Sequence, residues 1–263
     1  MRKMMFHVIA YMAFLAFGMG CSVKEDRSDC PCRLDLDISD VKILSDDCLE
    51  LQITSEKGEV IYSEKLDSAS LCRELSVDVP RTSLRVMAWC GGEGMAGEEG
   101  LSIPLGSQCP QVYTYSSELD AKGEECRDTL RMRKNHCVMS VSFRRKDEEV
   151  VSLSLRGNVS GYDAEGVPVE GAFLASVIRD PSVTMGCHQV VVPRQNGGEL
   201  ILDVGDDNGK IKSFPLSECI AATGYDWTVP DLPDLMVTID YVLTNVTLEI
   251  LGWDEEFFFD VVL

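Results

Sequence analysis

The sequence predicts an all-β protein with two β-sandwich domains in series, and three observations support this fold class. Apolar and polar residues alternate with period two in several segments, which is typical of antiparallel strands with one buried face. Turn-forming glycine and asparagine residues separate these segments, and helical periodicity is scarce. Roughly fifteen candidate strands exceed the seven to nine of one small sandwich, so we predict two domains.

The first strand shows the alternation clearly, with Leu34, Leu36 and Ile38 on one face and Asp35 and Asp37 on the other. Further segments repeat this pattern or form longer apolar runs that also predict strands. They are Leu49, Leu51 and Ile53; Leu84, Val86 and Ala88; Leu153 and Leu155; Gln189–Val192; Leu235–Leu243; Val246–Leu251; and Phe257–Val262.

A single short helix is predicted at Leu216–Thr223, with Ser217 as its N-cap and Gly224 as its stop. The last strand, Phe257–Val262, has apolar side chains on both faces, so we expect it to be covered on both sides. It either completes its own domain or is donated to another subunit.

The N-terminus has the layout of an export signal. Arg2 and Lys3 precede the largely apolar run Met4–Phe17, and Gly20 precedes Cys21. The run is shorter than the roughly 20 residues that span a bilayer. A cysteine directly after the small residue is what lipoprotein signals show, so we predict cleavage after residue 20 and acylation of Cys21. An ordinary secretory signal followed by a chance cysteine is the alternative.

The predicted organisation is a signal peptide at 1–20, a lipidated tether at 21–32, an N-terminal sandwich at 33–132 and a C-terminal sandwich at 133–263. The junction lies in the charged stretch Arg131–Asn135. A formal net charge of −20 disfavours nucleic-acid binding, because such a chain repels phosphates. The apolar fraction of 45% argues against global disorder.

The 11 cysteines of the chain suit an exported protein, in which we expect some disulfides and some buried thiols. Cys30 and Cys32 lack a second ligand pair at a spacing suited to zinc. His136 and His188 each adjoin a cysteine, but neighbouring residues on a strand point to opposite faces. The sequence therefore predicts no metal site.

No motif of a catalytic site is present in the sequence. Gly157–Gly161 lacks the central serine of a nucleophile elbow, and the acidic loop Gly91–Gly100 would repel phosphate. Asp203–Gly209 misses the ligand spacing of an EF-hand and is better explained as a hairpin turn. Trp227 and Trp253 are interpreted as core residues rather than sugar-stacking platforms. We therefore predict no enzyme activity and no cofactor.

Four segments resemble the FimB/Mfa-type fimbrial anchor lipoproteins of Bacteroides-like bacteria. They are Cys21–Leu34, Lys134–Cys137 leading into a strand, Gly224–Trp227, and Val237–Tyr241 through Trp253. The resemblance implies two transthyretin-like β-sandwiches in series. It also implies a subunit, lipidated by fatty acyl chains such as palmitate, that fixes a fimbrium to the outer membrane and limits its length.

The resemblance further implies fimbrial shaft or accessory subunits as partners, bound by strand addition. Lys24, Glu25 and Asp26 are similar to the tag that moves lipoproteins to the cell surface, although a merely polar tether explains them equally well. Two other functions stay open at this point: a surface glycan-binding lipoprotein, and a fimbrial shaft or tip subunit.

Overall fold

The structure, a computed structural model, describes residues 30–41, 48–70, 73–91, 100–143, 150–177, 188–196, 198–206, 209–240, 244–252 and 255–261. Within these ranges the chain is built almost wholly of strands. In chain order they are β1 Cys32–Asp37, β2 Cys48–Ser55, β3 Val60–Asp67, β4 Glu74–Val79, β5 Ser83–Cys90, β6 Leu101–Ser102, β7 Tyr113–Asp120, β8 Glu125–Thr129, β9 Arg133–Lys134, β10 His136–Phe143, β11 Val150–Tyr162, β12 Pro168–Val177, β13 His188–Pro193, β14 Ile201–Asp206, β15 Ile211–Pro215, β16 Leu235–Asp240, β17 Asn245–Ile250 and β18 Glu256–Asp260. The helix α1 spans Leu216–Ala222.

The segments with period-two alternation form strands in the structure, as predicted. In β1 the side chains of Leu34 and Leu36 are fully buried, and in β2 those of Leu49 and Ile53 are too. Alternate side chains of a strand point to one face, so each alternating segment places its apolar residues against a single core. The predicted all-β class is therefore confirmed.

The first sandwich consists of two sheets. One has the order β4-β1-β8, in which β1 and β8 run parallel, and the other has the order β3-β2-β5-β7-β9. Their inner faces share one hydrophobic cluster, which includes Leu36 from the first sheet and Leu51 and Val86 from the second.

The second sandwich also consists of two sheets, one of which contains a parallel pair of strands. One sheet has the order β13-β10-β16-β17-β18, with β10 and β16 parallel, and the other has the order β12-β11-β14-β15 with β6 added to β11. Met139, Val237 and Leu248 from the first of these sheets meet Leu155 and Leu202 from the other in a second cluster.

The chain enters the second sandwich before the first is complete. Ile103, Cys109 and Val112, which lie between β6 and β7, belong to the second cluster. The chain then returns to the first sandwich as β7. Both sandwiches belong to one compact unit, Cys32–Leu263. The division into separable domains near Arg131–Asn135 stays a prediction.

Helix α1 begins at Leu216, as predicted, but its N-cap differs from the prediction. Pro215 occupies the N-cap position without a side-chain cap, so the predicted N-cap Ser217 is wrong, because this residue lies inside the helix. The predicted stop is confirmed. Thr223 is the C-cap, and Gly224 follows with φ 79°, a left-handed conformation that glycine adopts without a Cβ penalty.

The last strand completes its own sheet, since β18 pairs antiparallel with β17. Phe257 and Phe259 pack against the second cluster. Phe258 on the opposite face is 66% exposed, so the expectation of a strand covered on both faces is wrong. In a two-layer sandwich only the inner face of each sheet packs on the other sheet, so the outer face that carries Phe258 is left open. Within the described residues, no helix combines the length and apolar character needed to span a bilayer.

Candidate functional site

A groove of about 1030 Å³ lies where the two sandwiches meet. The first sandwich contributes Thr114 and Ser116 of β7 to its walls. The connection between the sandwiches contributes Arg133 and Asn135. The second sandwich contributes the β11–β12 turn, the segment after β13, α1 and the residues that follow α1. The groove is therefore a product of the junction and belongs to neither sandwich alone.

Arg194, the residue directly after β13, lies at the floor of this groove and is only 4% exposed. Burial lowers the pKa of its guanidinium from the ordinary value. The side chain has no carboxylate partner in hydrogen-bond contact among the described residues. Its Nε donates to Oδ1 of Asn135 at 2.9 Å. Its two Nη atoms donate to four backbone carbonyl oxygens, those of Trp227, Val229 (2.8 Å), Lys134 (2.7 Å) and Pro230 (3.3 Å).

Asn135 connects this arginine to the first sandwich. Its Nδ2 donates to Oγ1 of Thr114 at 2.7 Å and to the carbonyl of Gly166 at 3.0 Å. The hydroxyl of Tyr162 donates to the Asn135 carbonyl and accepts from the backbone N–H of Arg194 at 2.7 Å. Three segments distant in sequence are thus held in one buried network, in which each polar group has a partner.

The β11–β12 turn rests on the outer face of the first sandwich. Nε1 of Trp89 donates to the carbonyl of Ala164 at 3.2 Å, and Nη1 of Arg85 contacts Oε1 of Glu165 at 2.5 Å. Gly166 has φ 79°, and a Cβ at this position would collide with the side chain of Thr114. A glycine is therefore required for this close approach.

The walls of the groove carry exposed polar side chains around one tryptophan. Trp227 is half-buried, and its ring packs edge-to-face on Tyr225 with centroids 4.8 Å apart. Nη2 of Arg133 donates to the carbonyl of Thr228 at 3.2 Å. Oδ1 of Asp226 accepts from the backbone N–H and the hydroxyl of Thr228, both at 2.8 Å. These hydrogen bonds lower the pKa of Asp226, which is therefore ionised at neutral pH.

The fold was compared with known proteins. The structure aligns with the fimbrial anchor protein Mfa2 from Porphyromonas gingivalis with a TM-score of 0.57 and 13% identity, covering 85% of this chain and 98% of that one. The chain has the fold of Mfa-type fimbrial proteins. The predicted resemblance is thus confirmed at the level of the fold.

Two further structures share this fold. A proposed polysaccharide-binding protein from Bacteroides thetaiotaomicron aligns with a TM-score of 0.61 and 11% identity, covering 88% of this chain and 98% of that one. A proposed adhesin from Bacteroides ovatus aligns with a TM-score of 0.57 and 10% identity, covering 87% and 95%. No protein-family model matches the sequence, and the comparison with curated proteins finds no match.

The residues predicted for lipidation and export, Cys21 and Lys24, Glu25 and Asp26, lie outside the described residues. Trp253 also lies outside them. Trp227 is more than the predicted core residue, because it packs on the second cluster and also lines the groove.

We expected a mixture of disulfides and buried thiols, and seven of the described cysteines are free thiols. Burial raises the pKa of Cys137 to about 12 and also raises that of Cys32, so both are protonated at neutral pH. Free thiols are found at Cys30, Cys32, Cys48, Cys109, Cys126, Cys137 and Cys219.

Of the two histidine–cysteine pairs, the structure describes His136 and Cys137 but not Cys187, the neighbour of His188. His136 is buried, with Nδ1 3.1 Å from the carbonyl oxygen of Val112, and burial lowers its pKa. No group of three or more histidine, cysteine, aspartate or glutamate side chains in the described part of the chain could hold a metal ion. β14 and β15 pair antiparallel, as the predicted hairpin at Asp203–Gly209 requires, while its turn residues 207 and 208 lie outside the described residues. Arg156 donates a hydrogen bond to Asp203.

Sequence reasoning missed Arg194 and the groove above it. The one local signal is an arginine two residues after the apolar run Gln189–Val192, where a strand ends. That signal marks a polar residue at a strand end, but the partners come from sequence positions some 30 to 60 residues away.

Proposed function

We propose that this chain is a lipid-anchored subunit that fixes a fimbrium to the outer membrane, without enzyme activity, and that its position at the base limits fimbrial length. The observation that carries the proposal is the shared fold with a fimbrial anchor protein over most of both chains. The Cys21 signal supports it, because several acyl chains on one residue hold a protein stably on a membrane whereas one chain is marginal.

The buried junction also supports a role under tension. An anchor transmits force from a filament to a lipid, so its two sandwiches must not separate easily. Arg194 and Asn135 join the segments of both sandwiches through hydrogen bonds that are shielded from water. Such a network resists separation better than exposed ion pairs, which contribute little.

The partner is a neighbouring fimbrial subunit that adds a strand to an exposed edge. β18 is the end strand of its sheet, and Phe258 offers an exposed apolar side chain beside the charged Glu256 and Asp260. Strand addition at this edge would combine main-chain hydrogen bonds with a contact to Phe258. The charged neighbours would also discourage uncontrolled edge pairing.

The lipid anchor is tested with Cys21→Ala and, as a matched control, Cys30→Ala, which removes an exposed thiol close by. Fatty-acid labelling and membrane fractionation are expected to show that Cys21→Ala alone is unlabelled and released. A labelled Cys21→Ala protein that stays with the membrane would contradict the lipid site.

The anchor role is tested by deleting the chain in its own cell. Fimbriae are expected to form, to detach into the medium and to grow longer, as seen by electron microscopy and by immunoblots of the medium. A shaft subunit would instead be recovered along the sheared filament. Cells that keep normally attached fimbriae of normal length would refute the anchor role.

A further inference from the structure

The groove at the junction has the lining of a carbohydrate site, and we propose that it binds a neutral oligosaccharide. This inference goes beyond fimbrial anchoring and does not depend on it. The volume of about 1030 Å³ lies at the upper end of ligand pockets, which hold roughly 300–1,000 Å³. A site of this size accommodates several sugar rings rather than one.

The apolar part of the site is Trp227. A pyranose ring presents a face of C–H groups, which packs on a flat aromatic ring and buries apolar surface there. Trp227 lines the groove and is half-buried, so part of its ring remains available for contact. The edge contact with Tyr225 and the bond from Arg194 to the Trp227 carbonyl hold the residue in place before any ligand binds. A preorganised ring loses little entropy on binding.

The polar part of the site is rich in hydrogen-bond acceptors. Asn196, Glu218 and Asp226 are exposed side chains on the walls, and their oxygens accept from the hydroxyl groups of a sugar. Gln195 also lines the groove, but its Oε1 is buried beside Gly157, so this oxygen is out of reach of a ligand in the groove.

The charges of the groove select a neutral sugar over an acidic one. Arg194 has its five N–H groups engaged by protein oxygens, so it is not available to an anion. Arg133 is an exposed cation on the wall, and the lining also includes the exposed carboxylates of Glu218 and Asp226, which outnumber it. A uronic acid would therefore gain less from this lining than a neutral sugar does.

A peptide fits this lining less well. Peptides that bind by strand addition need a free strand edge, and Thr114 of β7 is already paired with Trp89 on one side and Arg133 on the other. The opposite walls, α1 and the turn after it, present side chains rather than a strand edge. The geometry thus favours a sugar, and a peptide becomes an outcome of the test.

The test is calorimetric titration of the mature protein, extracted from its envelope in detergent. The probes are maltotetraose, cellotetraose, mannotetraose and chitotetraose, with tetragalacturonic acid as the acidic sugar and an extended heptapeptide as the peptide. Trp227→Ala removes the ring, and Asn196→Ala removes an exposed acceptor without touching the buried network. Phe258→Ala is the matched control, because it removes an exposed aromatic ring on β18 outside the groove.

At least one neutral tetrasaccharide is expected to bind with a Kd of about 1 mM or tighter. Trp227→Ala should weaken this binding about tenfold and Asn196→Ala about threefold, whereas Phe258→Ala should leave it unchanged. The proposal is overturned if no neutral tetrasaccharide binds, if tetragalacturonic acid or the heptapeptide binds more tightly, or if both groove variants bind as the wild type does. Such a failure would leave the anchor role intact, because the Cys21→Ala fractionation measures a different property.

Discussion

Replacing Arg194 by methionine should destabilise the junction far more than any exposed substitution nearby. Methionine keeps much of the apolar stem but removes five hydrogen bonds, one to Asn135 and four to backbone carbonyls. An acceptor left buried and unpaired costs about 1–3 kcal/mol. The Pro230 carbonyl keeps a bond from the N–H of Lys134, so not every acceptor is orphaned.

The expected loss in the free energy of unfolding is therefore about 3–4 kcal/mol. It is smaller than the sum over the unpaired acceptors, because the methionine variant no longer has to bury a charged guanidinium. In a chain of this size that corresponds to a fall in Tm of about 6–15 °C. Arg194→Lys should lose most of the same energy, because an ammonium retains the charge but not the planar fork of donors.

The assay is urea unfolding followed by tryptophan fluorescence, with Arg133→Met as the matched control. Arg133 is exposed and donates a single described hydrogen bond, so its loss should cost about 0.5 kcal/mol or less. A double-mutant cycle with Asn135→Ala should show a coupling of about 1 kcal/mol or more with Arg194→Met. If Arg194→Met unfolds within about 1 kcal/mol of the wild type, the reasoning about a buried network at the junction is refuted.

Three further predictions follow from the described residues. Gly166→Ala should lower the free energy of unfolding in urea by about 2–4 kcal/mol, because the new Cβ meets a positive φ and collides with Thr114. Gly209→Ala, which has a positive φ but open space around it, should lower it by about 1 kcal/mol. Equal losses for the two variants would contradict the close approach of Gly166 to Thr114. Burial lowers the folded-state pKa of His136, so stability should be fully present above about pH 6.5 and fall as the pH drops below it, and His136→Gln should flatten this slope in unfolding curves. Native protein should be alkylated by iodoacetamide at exposed Cys30 but not at buried Cys137, as read by mass spectrometry; rapid labelling of Cys137 would contradict its burial.

The strands were predictable because their information is local. The alternation in Leu34–Ile38 and in Leu49–Ile53 places apolar side chains on one face wherever the strand is packed, so the pattern alone indicates the buried side. The stop at Gly224 is local for the same reason, since a left-handed C-terminal position favours glycine in any fold. The N-cap at Ser217 failed because the strand β15 continues into α1 and leaves no free residue to cap it.

The exposure of Phe258 could not be read from its own segment. Three phenylalanines in a row predict burial on both faces, but the packing of the two sheets against each other decides which face of β18 is covered. Sheet order depends on pairings between β16, β17 and β18 that composition does not encode.

The fold class, the positions of most strands and the layout of the N-terminal signal could all be predicted, because each depends on neighbouring residues. The groove and its arginine could not, because they form when distant segments pack together. Arg194 is one polar residue at a strand end until Asn135, Trp227 and the β11–β12 turn are brought around it. The physical reason is that a buried charged group is tolerated only where oxygens from distant segments converge on it, and that convergence is a property of the packed chain.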